Sequence, residues 1–275
     1  MPAKNDLILS ATRNAVRTLT FNLPKKLNGW TTEMMAALRS ALADAAVDPA
    51  VGAVVLTATD PYYSAGVNLS GTLKLKAPRA LHALIVEHNV ALFAQFIHFP
   101  KPILAAINGP AIGASVTSAI LCDGLIVSDR ATLSTPFARL GVTAEGCSSV
   151  LFERLMGAES AARMLGPEGW APTGQAAFDV GLAQWVVPHA ELLERAQSIA
   201  EGWVTSGQGR TYRAGATRDE LDAINARESA TLADAFLGVP FLKGQFEFLW
   251  KRKKRGPAVV FFALRHTRPV WSRFL

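Results

Sequence analysis

Two cysteines in 275 residues, Cys122 and Cys147, are too few for a disulfide framework and favour a reducing compartment. The five histidines, His82, His88, His98, His189 and His266, fall at no spacing that would gather a ligand set. With only two scattered cysteines beside them, a zinc centre is disfavoured and no metal is expected. No apolar run reaches membrane-spanning length, and the opening "MPAKNDLILSATRN" lacks the apolar core of a signal peptide. Repeats of constant period and low-complexity linkers are missing too. So are the dinucleotide fingerprint and the phosphate-binding P-loop, because the glycine spacing is wrong and no Lys-Ser/Thr pair follows. These absences lead us to expect a soluble, cytoplasmic chain with no membrane partner.

What is present is apolar and basic. Half the residues are hydrophobic, enough for a large core, so one sizeable domain with a smaller appendage is expected. A formal charge of +6 and a pI near 9.5 favour an anionic partner without specifying it. "NAVRTLTFN" alternates, predicting a strand over residues 15–21. "TTEMMAALRSALADAAVDP" carries Met34, Leu38, Leu42 and Ala45 as a helical stripe behind a threonine cap and ends before Pro49. "VGAVVLTA" reads as a strand buried on both faces. The alternation recurs with "PILAAI" (102–107), a helix near 113–122, "GLIVSD" (124–129) and "ATLSTP" (131–136), giving α/β layering. Beyond residue 190 three helix candidates follow, and then "GPAVVFFALRHTRPVWSRFL", an apolar piece with basic flanks that is expected to pack on the protein or a neighbouring subunit.

Three short stretches carry candidate chemistry. "YYSAGVNLS" (62–70) and "INGPAIGASVTS" (107–118) each follow a buried strand and lead through small residues into a helix, with Asn68 as a possible cap. Such loops point main-chain N–H groups outward, and two of them aimed at one oxygen form an oxyanion hole. Taken singly, each is equally an ordinary tight turn. In "STPFARLGVTAEGCSS" (134–149) Glu145 is the one carboxylate, either a helix-start residue facing water or an acid/base group in a cleft. Cys147 lacks a base partner that would make it a nucleophile, and Arg139 could orient Glu145 or be solvated.

Together, "NLPKKLNGW", "VVLTATDPYYSAGVNL", "FPKPILAAINGPAIGASVTSAILCD", "SDRATLSTPFARLGV", "EGCSS" and "GLAQWVVP" resemble the crotonase (enoyl-CoA hydratase/isomerase) superfamily over about residues 10–255. The resemblance implies an α/β (α+β) fold, with a ββα spiral core over 1–200 and a helical region over 201–275 that mediates homotrimers or dimers of trimers. It implies an acyl-CoA substrate and no separate cofactor. It makes the N–H groups of Val67 and Ala114 the oxyanion donors, with Ala65, Gly66 and Gly113 beside them. It also places Lys25, Lys26 and the backbone of Leu27 on the CoA. Family hydratases carry two glutamates at positions that are Thr117 and Phe137 here, so water activation is poorly supported. The segment is similar instead to the peroxisomal type of Δ3,Δ2-enoyl-CoA isomerase, whose acid/base matches Glu145. By the same analogy residues 71–90 shape the acyl pocket, with His82 and His88 as surface or packing residues. The run "KRKKR" (251–255) is implied to approach CoA phosphates; no nucleic-acid module accompanies it.

Overall fold

A computed structural model describes residues 7–67 and 77–274. The suggested cap at Asn68 lies outside them, as does the 71–76 part of the suggested acyl-pocket segment. Six strands form the main sheet: β1 (Ile8–Arg13), β2 (Val16–Phe21), β3 (Ala53–Ala58), β4 (Ile103–Ile107), β6 (Gly124–Ser128) and β8 (Trp185–Val187), in the order β1-β2-β3-β4-β6-β8. Only β1–β2 is antiparallel; the remaining pairs are parallel, with Val54 opposite Ile103 and Ala105 opposite Leu125.

Strand β3 shows why the sequence lacked polar alternation there. Val54 and Leu56 join the larger core, while Ala53 and Val55 face the opposite layer. That layer is α7 (Leu192–Ser206), whose Leu192, Ala196 and Ala200 cover the second face of the sheet. With both faces covered, every residue of the strand is apolar or, like Thr57, buried. On the larger side lies α1 (Thr32–Val47), whose buried residues are Met34, Leu38, Leu42 and Ala45 and whose cap Thr31 accepts from the Met34 N–H at 3.2 Å.

A second ladder, shorter than the first, runs beside the sheet. Strand β5 (Ala111–Ile112) pairs with β7 (Leu133–Ser134), and single bridges join Ser64 to Ala111, Trp30 to Val67 and Thr132 to Thr173. Each turn of chain therefore contributes a long strand, a short one and a helix. This happens at β3, Ser64 and α2 (Pro78–Ile97), and again at β4, β5 and α3 (Ala114–Ala119). After β7 come α4 (Phe137–Leu140) and α5 (Ser148–Leu165), then α6 (Gly174–Asp179). This is the expected mixed α/β spiral.

Helix α8 (Arg218–Phe236) packs along α2, and α9 (Val239–Lys251) and α10 (Arg255–Trp271) form a pair beyond it. The strand expected at 131–136 shrinks to two residues because it pairs only with the two-residue β5. Strand β1 was not anticipated. As an edge strand it exposes five of its six residues and so carries no apolar pattern.

Helix α2 corrects the expectation about apolar runs. At 20 residues, with a mean hydropathy of 1.4, it is long and apolar enough to cross a membrane by length and composition. Its apolarity has another outlet here. Leu92, Phe93, Phe96 and Ile97 enter the core, while Leu81, Leu84 and Ile85 wall a cavity.

Candidate active site

Three loops meet at the end of the short ladder. Asn28, fully buried in the left-handed conformation, accepts from the Leu23 N–H at 2.7 Å and donates to the carbonyls of Thr59 and Tyr62. The Ser64 hydroxyl donates to the Asn28 carbonyl at 2.8 Å and accepts from the Gly66 N–H at 3.0 Å. The Ala65 N–H bonds to Leu27 O, Trp30 N–H to Gly66 O, and Ile112 N–H to Ser64 O. Every one of these bonds is local or crosses between neighbouring loops, so the three strand ends are laced into one rigid edge.

Two glycines make the close approach possible. Gly66 has φ +78°, and a Cβ there would stand 2.5 Å from Ile112 O. Gly113 has φ +61° at the start of α3. The residues that follow, Val67 and Ala114, present the N–H groups singled out from the sequence. Neither amide donates to a carbonyl among the described residues. At Ala114 this follows from position, since the first amides of a helix have no partner within it.

Both residues line a cavity of about 200 Å³. Its remaining wall is mostly apolar, from Leu81, Leu84 and Ile85 of α2, Phe137 and Leu140 of α4, and Leu232 and Phe236 of α8. Ala65, Gly66 and Gly113 line it as well. Glu145 is the one carboxylate among the described lining residues. The question left open by the sequence, solvated helix start or cleft group, thus has a geometric answer. Glu145 is partly buried, with its remaining exposure in a cavity set in dense protein, and its carboxyl pKa is pushed up from 4.5 to about 8. Burial is the main cause and the neighbouring Glu228 carboxylate the second.

The turn carrying Glu145 is tightly held. Gly146 and Cys147 both adopt positive φ, and the Glu145 carbonyl accepts from the Ser148 hydroxyl at 2.7 Å. A Cβ on Gly146 would lie 2.5 Å from the Phe93 ring and 2.7 Å from the Thr117 hydroxyl. Thr117 is fully buried on α3, and Phe137 stands in the cavity wall. Arg139 points away from the site, donating to Gly169 O at 3.5 Å from an exposed position. The Cys147 thiol is buried against Leu221 O and its pKa is raised by that burial, which suits packing rather than nucleophilic attack.

The proposed CoA contacts are more peripheral. Lys25 and Lys26 are exposed on a single 3-10 turn (Pro24–Lys26), and Leu27 ends it in the left-handed conformation. None of the three is among the residues lining the cavity; the Leu27 carbonyl accepts from the N–H of Ala65, which does line it. His88 is an exposed residue of the cavity rim, and His82 pairs with Asp234 of α8 at 3.1 Å.

Two residues that shape the candidate site escaped sequence reasoning. Asn28 sits inside "KKLNGW", and an asparagine before glycine signals only a turn. Glu228 is 4% exposed on α8, and its oxygens accept from the N–H groups of Cys147 at 2.6 Å and Ser149 at 2.9 Å. Its surroundings in sequence, "RESATLAD", suggest a solvated helix face.

Known proteins agree with this architecture. The family model described as enoyl-CoA hydratase/isomerase matches residues 11–236. Enoyl-CoA delta isomerase 2 of Rattus norvegicus is 33% identical over 267 residues, covering 90% of this chain and 64% of its own length. This chain therefore spans less than two thirds of that relative's length. A probable mitochondrial enoyl-CoA hydratase of Dictyostelium discoideum is 29% identical over 264 residues, covering 94% of this chain and 88% of its own. Among solved structures, an enoyl-CoA hydratase/isomerase from Pseudoalteromonas atlantica T6c superposes with a TM-score of 0.75 at 26% identity, over 89% of this chain and 97% of that one. With its laced amide edge, single cavity carboxylate and spiral of short and long strands, the chain belongs to the enoyl-CoA hydratase/isomerase family.

Proposed function

We propose that this protein is a Δ3,Δ2-enoyl-CoA isomerase, converting a 3-enoyl-CoA to the trans-2-enoyl-CoA. The observation that carries the proposal is the solitary carboxylate: Glu145 is the one carboxylate among the described lining residues, and the family resemblance puts Thr117 and Phe137 where hydratases have their two glutamates.

The thioester carbonyl oxygen accepts from the N–H groups of Val67 and Ala114. Those two hydrogen bonds acidify the C2 hydrogens by stabilising the charge that forms on the oxygen. The Glu145 carboxylate takes a proton from C2, and the electron pair spreads over C2, C4 and the carbonyl oxygen as a dienolate. Glu145 then returns the proton at C4, and the double bond settles between C2 and C3. Proton count and charge are restored, and no water enters the product. A base whose pKa lies near the working pH is effective in both directions, which is what burial does to Glu145. Donors fixed before the substrate arrives stabilise the oxyanion without rearranging, and losing one typically costs about 2.7–4 kcal/mol of barrier lowering.

Binding of the remainder of the substrate is assigned to Lys25, Lys26 and the Leu27 backbone on the CoA side. The acyl chain is assigned to the wall made by α2 and α8. The exposed Phe248, Trp250, Val259 and Phe262 of α9 and α10 support assembly into homotrimers or dimers of trimers through this region. The chemistry is supplied by the chain's own groups and the CoA thioester, without a further cofactor.

The test is product analysis with 3-enoyl-CoA and 2-enoyl-CoA. Conversion of the first to the 2-enoyl product, abolished in Glu145→Gln and Glu145→Ala with CoA-ester binding retained, is expected. Formation of a 3-hydroxyacyl product, or near wild-type turnover in either variant, refutes the proposal.

A further inference from the structure

Glu228 is a buried carboxylate with no ion-pair partner among the described residues, and burial raises its pKa. An unpaired carboxylate in such a place is costly unless hydrogen bonds hold its charge. Here both oxygens accept main-chain N–H groups, from Cys147 at 2.6 Å and Ser149 at 2.9 Å, at the first turn of the 18-residue helix α5. Those two donors lie in the turn that begins at Glu145, and they are 81 and 79 residues from Glu228 in sequence. The next residue on α8, Ser229, accepts from Asn89 of α2 at 3.0 Å, and Asn225 donates to Val90 O at 3.1 Å. One stretch of α8 thus holds both the Glu145 turn and the α2 wall of the cavity.

We propose that Glu228 is a positioning residue for Glu145, fixing the 145–149 turn through two main-chain hydrogen bonds and setting the electrostatic field in which Glu145 exchanges its proton. This inference rests on Glu145 being the proton carrier. The field has few other sources. From α2, His88 sits exposed at the rim; from α4, Arg139 turns to Gly169; from α8, Arg227 adjoins Glu228 and acts against its raised pKa. Among the described residues Glu228 is the charged side chain whose field raises the Glu145 pKa, its like charge opposing ionisation there after burial itself. The two carboxyls divide the work: one stays hydrogen-bonded to the backbone, the other is kept proton-hungry in the cavity.

The decisive experiment follows the Glu145 carboxyl directly, by carbon-13 NMR of glutamate-labelled protein, with its resonance assigned by its loss in Glu145→Gln. In Glu228→Gln the titration midpoint is expected to fall by about one pH unit, as removal of a nearby like charge requires. Glu228→Asp keeps the charge but draws it back, and its midpoint should lie between those of wild type and Glu228→Gln. If Glu228→Gln does not fold, a lowered midpoint in Glu228→Asp still supports the proposal. An unchanged midpoint in the folded variants, or an equal fall in both, overturns it. The pH profile of kcat/KM separates this inference from the assignment beneath it. Its acid limb should move with the NMR midpoint. If the midpoint moves and the limb does not, Glu228 tunes Glu145 but Glu145 is not the base.

Discussion

Replacing Glu145 with glutamine should make the protein more stable in alkaline solution while removing its activity. In the folded state the carboxyl holds its proton up to about pH 8, whereas the unfolded chain releases it near 4.5. Between those two values the folded state binds more protons than the unfolded one, so stability falls as pH rises through the window. The gap of about 3.5 units, at ~1.4 kcal/mol each, sets a ceiling of about 5 kcal/mol, lowered by the opening of the cavity to solvent. Glutamine keeps the shape and never ionises, so it escapes the penalty. The assay is the difference in melting temperature between Glu145→Gln and wild type, measured from pH 5.5 to pH 9. It should be smallest at the acid end and grow by several degrees towards the alkaline end. About 2–4 °C per kcal/mol is usual for a chain of 150–250 residues. A difference that stays flat across that range, or that shrinks as pH rises, would refute the burial argument for Glu145.

Gly66→Ala should bring a methyl group to 2.5 Å from Ile112 O at φ +78°, displacing the Val67 amide; kcat should fall about 10²–10³-fold in steady-state assays. Phe236→Ala should widen the acyl wall and shift kcat/KM toward bulkier acyl chains by about tenfold, read by competing substrates of two chain lengths. The double variant Lys25→Ala, Lys26→Ala should raise KM for acyl-CoA about two- to fivefold at low salt, with kcat unchanged. Added salt should erase the difference, because both lysines are exposed.

How much could be read in advance depended on whether the controlling contacts were local. The α1 stripe and its threonine cap were legible because a helix repeats every 3.6 residues and shows its buried face in its own spacing. The glycines of the two loops, Gly66 and Gly113, were legible because left-handed backbone and close approach demand that residue. Glu145 stood out as the lone charge in an apolar neighbourhood. Strand β1 was hidden because an exposed edge imposes no pattern. Asn28 was hidden because its partners, Thr59 and Tyr62, lie more than 30 residues away. Glu228 was hidden for a similar reason: α8 is rich in charge, and only docking against the α5 start tells the buried carboxylate from the solvated ones. The length of α2 was hidden because His82, Glu87, His88 and Asn89 interrupt its apolar run, although the helix as a whole is apolar enough to wall a cavity and enter the core.

The lacing around Asn28 has one more implication. Its side-chain bonds run to Leu23, Thr59 and Tyr62, none of which lines the cavity, yet they pin the framework from which the Val67 N–H extends. The work of arranging that N–H is therefore completed when the chain folds, and in the proposed reaction each turnover inherits it. Damage to this small amide should surface as sluggish chemistry in an enzyme that still captures its substrate, a fault whose origin lies well away from the place where it is felt.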